Sequence, residues 1–336
     1  GATSRINFQL PSPDCMYHSV ILHGDHRYRI TGQRGSAAIF QFTVYRGHAC
    51  DLVGWQTHSM VNAIDHPESL APDGAVDIVL SRERPADLGR ALWLELPDGP
   101  CELRSRQYYA DWESEHPADL TIQVDDQAFP PALLDRESAE TRFARLVDLL
   151  RVHTDFYRAG VEAHLAADPA TPAELVIPGA FEGTNYFPGH LRCGPDEAVI
   201  IEFEDPGSLY WNIALFNMAY ENIDWWARHN SLNSHQARAD ADGTTRIVVS
   251  WRDPGVANWL DASGRMLHLF AFRFFRAAQP PRGPRPDRRP QPLAAPEAAS
   301  RWTDGRSIRH HPRRPRALIP VAGEAGWRHQ RRHAPS

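Results

Sequence analysis

Leu209, Trp211, Ile213 and Leu215 alternate with Tyr210, Asn212, Ala214 and Phe216, a period of two that predicts a β-strand. Ile247, Val249 and Trp251 repeat that pattern. Met266 to Phe275 is apolar on both faces, as a strand buried on both sides would be. Asp242-Gly243, Asp253-Pro254-Gly255 and Ser263-Gly264 supply the turns between these runs. Upstream, residues 5–124 read as short strands, with Tyr28 to Ile30, Ala37 to Val44, Val76 to Leu80, Ala91 to Leu96 and Glu102 to Tyr109 as candidates. Between the two β-rich halves the period changes. Phe143, Leu146, Val147, Leu150, Tyr157, Val161 and Leu165 recur at three- and four-residue spacing, which predicts an amphipathic helix over Glu137 to Leu165. Asp135 is its N-cap and Pro169 and Pro172 its stop, and the helix is expected to link the halves while packed on a sheet.

These patterns predict a mainly β chain of 336 residues in four parts. Residues 1–130 form an N-terminal β-domain, 131–172 the linking helix, 173–276 a C-terminal β-domain, and 277–336 a Pro/Arg-rich tail. The tail holds 11 of the 28 prolines and few aliphatics, so it cannot build a core. It reads as a disordered extension or as the translation of a shifted reading frame. Its net charge of +9 leaves −15 on the rest of a chain whose total is −6. All 36 basic residues are arginine.

No apolar run is long enough to span a membrane and no secretory signal segment is visible. Cys15, Cys50, Cys101 and Cys193 are far apart and form no C-x-x-C, which favours a reducing, cytoplasmic location over a disulfide scaffold. The chain begins without methionine and is read as lacking an N-terminal piece.

Several segments of the second half are recognisable. Tyr210-Trp211-Asn212, Arg228 to Asn233, Asp242-Gly243 and Asp253 to Asp261 resemble the bacterial domain of unknown function 1214. In the first half, Ser12-Pro13-Asp14 with Tyr17, Tyr28 to Gly35 and Arg106 to Glu113 resemble the actinobacterial branch of proteins that pair it with a domain of unknown function 1254. The resemblance implies two antiparallel β-sandwiches, the second jelly-roll-like. It implies no established activity.

Chemistry is thinly signalled. G-x-S-x-G, H-E-x-x-H, a Walker loop and the dinucleotide-binding glycine fingerprint are absent, and no cofactor is expected. The Asp253 to Asp261 run can place Asp253, Asn258 and Asp261 beside Trp251 and Trp259, a stacking platform with polar groups. The same letters also describe a turn, two backbone-bonded side chains and core tryptophans. Arg228, Asn230, Ser231 and Asn233 read as a hydrogen-bonding loop over a pocket; His229, His235 and Asp224 lack a recognised metal-ligand spacing. Asp111 and Glu113 share a face if their strand continues, as do Arg104 and Arg106, and a solvated, ion-paired face explains them. The tail lacks the interleaved aromatics of specific nucleic-acid recognition. The expected role is therefore to hold a small organic ligand or glycan in the C-terminal β-domain. Its candidate residues are Tyr210, Trp211, Asn212, Arg228, Asn233, Asp253, Asn258, Trp259, Asp261 and Arg273. The rivals are a hydrolase- or lyase-type enzyme, with an Asp as base and Arg228 or Arg273 stabilising negative charge, and a protein-interaction module.

Overall fold

A computed structural model describes residues 10–47, 56–125, 135–169, 172–175, 183–286 and 291–292. Among them, residues 14–153 belong to one compact unit, and residues 154–292 with the segment 10–13 to another.

The first unit contains β1 (Cys15–His23), β2 (Tyr28–Gln33), β3 (Ile39–Arg46), β4 (Gln56–Asn62), β5 (Ala75–Ser81), β6 (Leu92–Glu95), β7 (Pro100–Tyr108) and β8 (Asp119–Val124). They make two four-stranded sheets, ordered β1-β7-β3-β4 and β6-β5-β2-β8. Phe40, Phe42, Val44 and Leu103 of one sheet meet Ile30, Ile78, Leu80 and Leu120 of the other in a single buried cluster. Two sheets that each present an apolar face can bury it only against one another.

A helix, α1 (Arg136–Ala166), follows. Asp135 caps it, accepting from the Ser138 amide at 2.7 Å. The expected boundaries hold to within a residue, and the expected packing on a sheet holds for the second half of the helix. No helix residue is buried. Among the described residues, Tyr157 and Val161 pack against the cluster of Ala214, Phe216, Tyr220, Leu269 and Ala271, while Phe143, Leu146, Val147 and Leu150 stand exposed.

The second unit contains β9 (Thr184–Arg192), β10 (Glu197–Phe203), β11 (Tyr210–Phe216), β12 (Ser231–Asn233), β13 (Thr245–Ser250), β14 (Trp259–Asp261), β15 (Leu267–Phe275), β16 (Arg285–Pro286) and β17 (Gln291–Pro292). Its sheets are ordered β12-β11-β15-β9 and β14-β13-β10-β16, with β17 also on β10. Strand pairing thus continues past residue 276, where the tail was expected to begin. Proline is tolerated there because an edge strand needs donors on one side only. Residues 293–336 lie outside the described residues.

The two units have the same plan. Replacing each of β1 to β8 by the strand eight places later turns both sheets of the first unit into those of the second. Even the parallel pair recurs, β5 with β6 and β13 with β14, among otherwise antiparallel neighbours. Anchored on the Tyr–Arg cross-strand pair that both units hold, Tyr17 with Arg106 and Tyr186 with Arg273, the register gives the equivalent residues. Gln41 corresponds to Asn212, Arg106 to Arg273, Tyr17 to Tyr186 and Asn62 to Asn233.

His268 on β15 is fully buried, with Nε2 2.8 Å from the Arg265 carbonyl and no partner for Nδ1. Burial holds its pKa below the ordinary value; the bond to the Arg265 carbonyl opposes this in part, the Arg265 charge adds to it, and Asp261 opposes it weakly. The native state therefore resists protonation. Below about pH 6.5 the unfolded chain binds a proton that the folded one refuses. Stability is full above that pH and falls as the pH drops, by at most about 1.4 kcal/mol per pH unit for each such histidine. Urea unfolding at neutral and mildly acid pH should show this fall, and His268→Gln should flatten it. An identical slope in the variant would remove His268 as a cause.

Candidate functional site

The ten residues singled out from sequence fall into separate groups. Tyr210, Asn212, Asn233 and Arg273 share the sheet face that points away from the unit's main core. Across four strands of that sheet, Tyr186, Arg273, Asn212 and Asn233 stand side by side. Arg273 is fully buried and its guanidinium lies 4.7 Å from the Tyr186 ring centroid. It donates to the Tyr186 hydroxyl, to the Leu10 carbonyl at 2.5 Å and to Asn212 Oδ1 at 3.4 Å. Asn212 donates in turn to Ser12 Oγ at 2.7 Å and to the Tyr210 hydroxyl at 3.1 Å. The row is therefore roofed by the segment Leu10 to Ser12, which the sequence pattern did not connect with it. The first unit carries the same row as Tyr17, Arg106, Gln41 and Asn62.

Trp211 points the other way. It is buried in the core between the sheets, stacked on Phe272 at 5.5 Å and edge-on to Phe203 at 4.9 Å. Asn258 bonds main chain, accepting from the Arg238 amide and donating to the Arg238 and Arg246 carbonyls at 2.6 and 2.9 Å. Asp253 is exposed and caps its own turn at the Gly255 amide. Trp251 donates to the Cys193 carbonyl. These positions hold the fold together, as the turn-and-core alternative had it. Asp111 likewise folds into a turn, accepting from Glu113 and Ser114, because the strand stops at Tyr108. Asp240 and Asp242 are fixed by Arg246, which also holds Glu202, and its guanidinium keeps the Asp242 carboxyl down at about 2.

Arg228, Trp259 and Asp261 meet elsewhere, at the edge where β12 approaches β14. The Asp261 amide donates to the His229 carbonyl at 2.7 Å, and Arg228 bridges to Asp261 at 3.0 Å and Asp224 at 3.8 Å. The His229 and Trp259 rings lie 6.3 Å apart. Trp259 donates to Ser250 Oγ at 3.0 Å. The first unit repeats this edge closely: Trp93 donates to Ser81 Oγ at 3.2 Å, and His58 lies 3.6 Å from Glu95.

One difference between the copies stands out. Asn230 lies opposite Leu215, as Ser59 lies opposite Val44. Ser59 is satisfied, donating to the Glu95 carbonyl at 2.6 Å. Asn230 is fully buried, and neither its amide nitrogen nor its oxygen has a partner. Five residues earlier the Trp225 indole nitrogen is also buried without one. Among the described residues, no group of three or more His, Cys, Asp or Glu is placed to hold a metal ion.

The family described as protein of unknown function (DUF1214) matches residues 18–111 and 196–279, more than half of the chain. The chain belongs to the DUF1214 family. Both matches fall where the strand orders coincide, so the DUF1214 pattern is met once in each unit; the sequence reading had looked for it only in the second. Among solved structures, an uncharacterized protein from Burkholderia cenocepacia is similar, with 26% identity and a TM-score of 0.79, over 87% of this chain and 80% of that one. The VPA0106 protein from Vibrio parahaemolyticus matches over 84% of this chain and 91% of its own, with 11% identity and a TM-score of 0.48. No curated protein matches.

Proposed function

We propose that this DUF1214 protein holds a small organic ligand or glycan at the β12–β14 edge of its second unit. The residues are Asn230, Trp225, Arg228 and Asp261, with Trp259 beside His229 on the same edge. The observation that carries this is Asn230. A buried amide with no hydrogen bond costs on the order of 1–3 kcal/mol, so a fold under no other demand replaces it. The first unit places a bonded serine at the equivalent position. Tyr220 and Asp224, at φ 62° and 47°, hold the loop carrying Trp225 in left-handed conformations that non-glycine residues seldom adopt. An amide offers a donor and an acceptor, Trp225 adds a donor, and Arg228 with Asp261 adds charge of both signs. That set suits a neutral, polyhydroxylated or carbonyl-bearing ligand with an apolar face.

The test is Asn230→Leu, a change of similar volume. It should raise the unfolding free energy by about 1 kcal/mol or more, because an unsatisfied polar group leaves the interior. A thermal-shift screen of the full chain against sugars, steroids and aromatic acids should find a ligand that raises the melting temperature of the unsubstituted protein and not of the variant. If Asn230→Leu lowers stability and no compound shifts either protein, Asn230 is structural and the assignment fails.

A further inference from the structure

Three stretches singled out in the first half of the sequence, Ser12 to Asp14, Tyr28 to Gly35 and Arg106 to Glu113, play no part in the site proposed above. Inside the first unit, residues of all three meet at one end of the sandwich. The Tyr109 amide donates to the Asp14 carbonyl at 2.9 Å. The Trp112 ring lies 4.2 Å from that of Tyr109, and its nitrogen donates to Asp14 Oδ1 at 3.2 Å. Phe40 and Gln107 are cross-strand partners on β3 and β7, so their side chains leave the sheet on the same face. Arg34, just after β2, lays its guanidinium 5.6 Å from the Phe40 ring centroid. Arg34 and Gln107 thus adjoin one buried ring.

What both lack is an acceptor. Arg34 is 4% exposed and Gln107 0%. Arg34 Nη2 donates to the Ala37 carbonyl at 3.1 Å, but Nε and Nη1 are buried with no partner. Gln107 Oε1 accepts from the Tyr109 hydroxyl at 2.8 Å and the Ala118 amide at 2.9 Å, while its Nε2 is buried with nothing to bond. The two carboxylates whose charge reaches Arg34 are engaged elsewhere: Asp73 with His116 at 2.8 Å, and Glu115 with the Asp111 amide at 2.6 Å. In spite of both, burial pulls the Arg34 pKa below its ordinary value. Water can satisfy an unmet donor, but a buried cation needs an anion beside it.

We infer that this end of the first sandwich is a binding site for a small carboxylate, with Arg34 and Gln107 Nε2 as donors and Phe40 as its apolar wall. A planar oxyanion suits a planar guanidinium, and Asp73 and Glu115 disfavour a second negative charge. The cover is a loop, residues 110–118, rather than a strand. Its ties to the neighbouring loops lie at the surface: the His116 amide donates to Ser36 Oγ at 2.9 Å, and the Asp73–His116 pair is exposed. Contacts of that kind are worth little, so the loop can open and admit a ligand without parting the sheets.

The test is the melting temperature of the full chain, dialysed into sodium chloride and then moved to sodium acetate at the same ionic strength. Acetate should raise it by about 3 °C or more and saturate in the millimolar range. A salt acting by exclusion from the protein surface raises it without saturating. Arg34→Met keeps an apolar stem on Phe40 and removes the charge, so the acetate response should vanish. Gln107→Glu supplies a carboxylate from within that still accepts from Tyr109 and Ala118; it should melt higher in chloride and ignore acetate. Asn230→Leu, altered in the other unit, should respond as the unsubstituted chain does. Equal melting temperatures of the unsubstituted chain in chloride and acetate would overturn the inference, whether or not the variants fold. So would an undiminished response in Arg34→Met or Gln107→Glu, a Gln107→Glu chain that melts lower in chloride, or loss of the response in Asn230→Leu.

Discussion

Arg273→Ala is expected to lower the unfolding free energy of the second unit by about 3 kcal/mol or more. The guanidinium is fully buried and serves three acceptors on three segments: the Tyr186 hydroxyl, Asn212 Oδ1 and the Leu10 carbonyl. Truncation strips each of them of a donor in a place water does not reach, at about 1–3 kcal/mol for each group left unsatisfied. It also opens a cavity beside the Tyr186 ring, over which the guanidinium lies. Arg273→Met separates the two contributions, because it refills the volume and supplies no donors; it should recover only the cavity part. Arg273→Lys should also lose stability, since one ammonium cannot reproduce a planar fork that bonds in three directions. Urea unfolding followed by tryptophan fluorescence measures all three. A loss below about 1 kcal/mol for Arg273→Ala would show that the row is not needed by the fold and would return Arg273 to the list of ligand-binding candidates.

The second large effect is at Trp211. Alanine there should cost about 3–5 kcal/mol, the range for removing a large buried aromatic. The indole is sandwiched between Phe272 and Phe203, and Phe272 in turn packs on Phe274. A tryptophan forming the floor of a ligand hollow would behave differently: its removal would abolish binding and leave the melting temperature nearly unchanged. Trp259→Phe is the contrast. It keeps most of the apolar body and loses the hydrogen bond to Ser250, so about 1 kcal/mol is expected. If Trp211→Ala proves milder than Trp259→Phe, the assignment of Trp211 to the core is wrong.

The retained and changed positions of the two units divide the candidate residues by role. The Tyr–Arg–amide–Asn row and the Trp–Ser hydrogen bond occur in both, so they belong to what this strand plan requires. Asn230 occurs in one copy only, and its counterpart Ser59 is bonded. That comparison separates a strut from a candidate site more sharply than burial does, since both are buried.

Much of the strand content was legible because an apolar run or an alternation reports directly how a segment meets a core. β3, β5, β7, β11, β13 and β15 are all central or well-filled strands of this kind. β1, with His18, Ser19 and His23, and β4, with Gln56, Thr57 and His58, were not picked out, because edge strands carry polar residues on their outer sides. The helix was found almost to the residue because its period and its Asp135 cap are local signals. What it packs against is not local: the sequence suggested a sheet, and the structure places its Tyr157 and Val161 against Ala214, Phe216, Leu269 and Ala271.

The duplication was hidden for a related reason. Gln41 and Asn212 lie 171 positions apart, Arg106 and Arg273 lie 167, so loops of unequal length erase any fixed period. Periodicity, capping and turn chemistry depend on neighbours within a few residues, and those alone determined that this chain is mainly β with one long helix. Which side chains stand next to which across strands depends on register. Only the tertiary structure could decide that Tyr186, Arg273, Asn212 and Leu10 share one hydrogen-bonded row, that Trp211 belongs to the core, and that Asn230 is buried with nothing to bond.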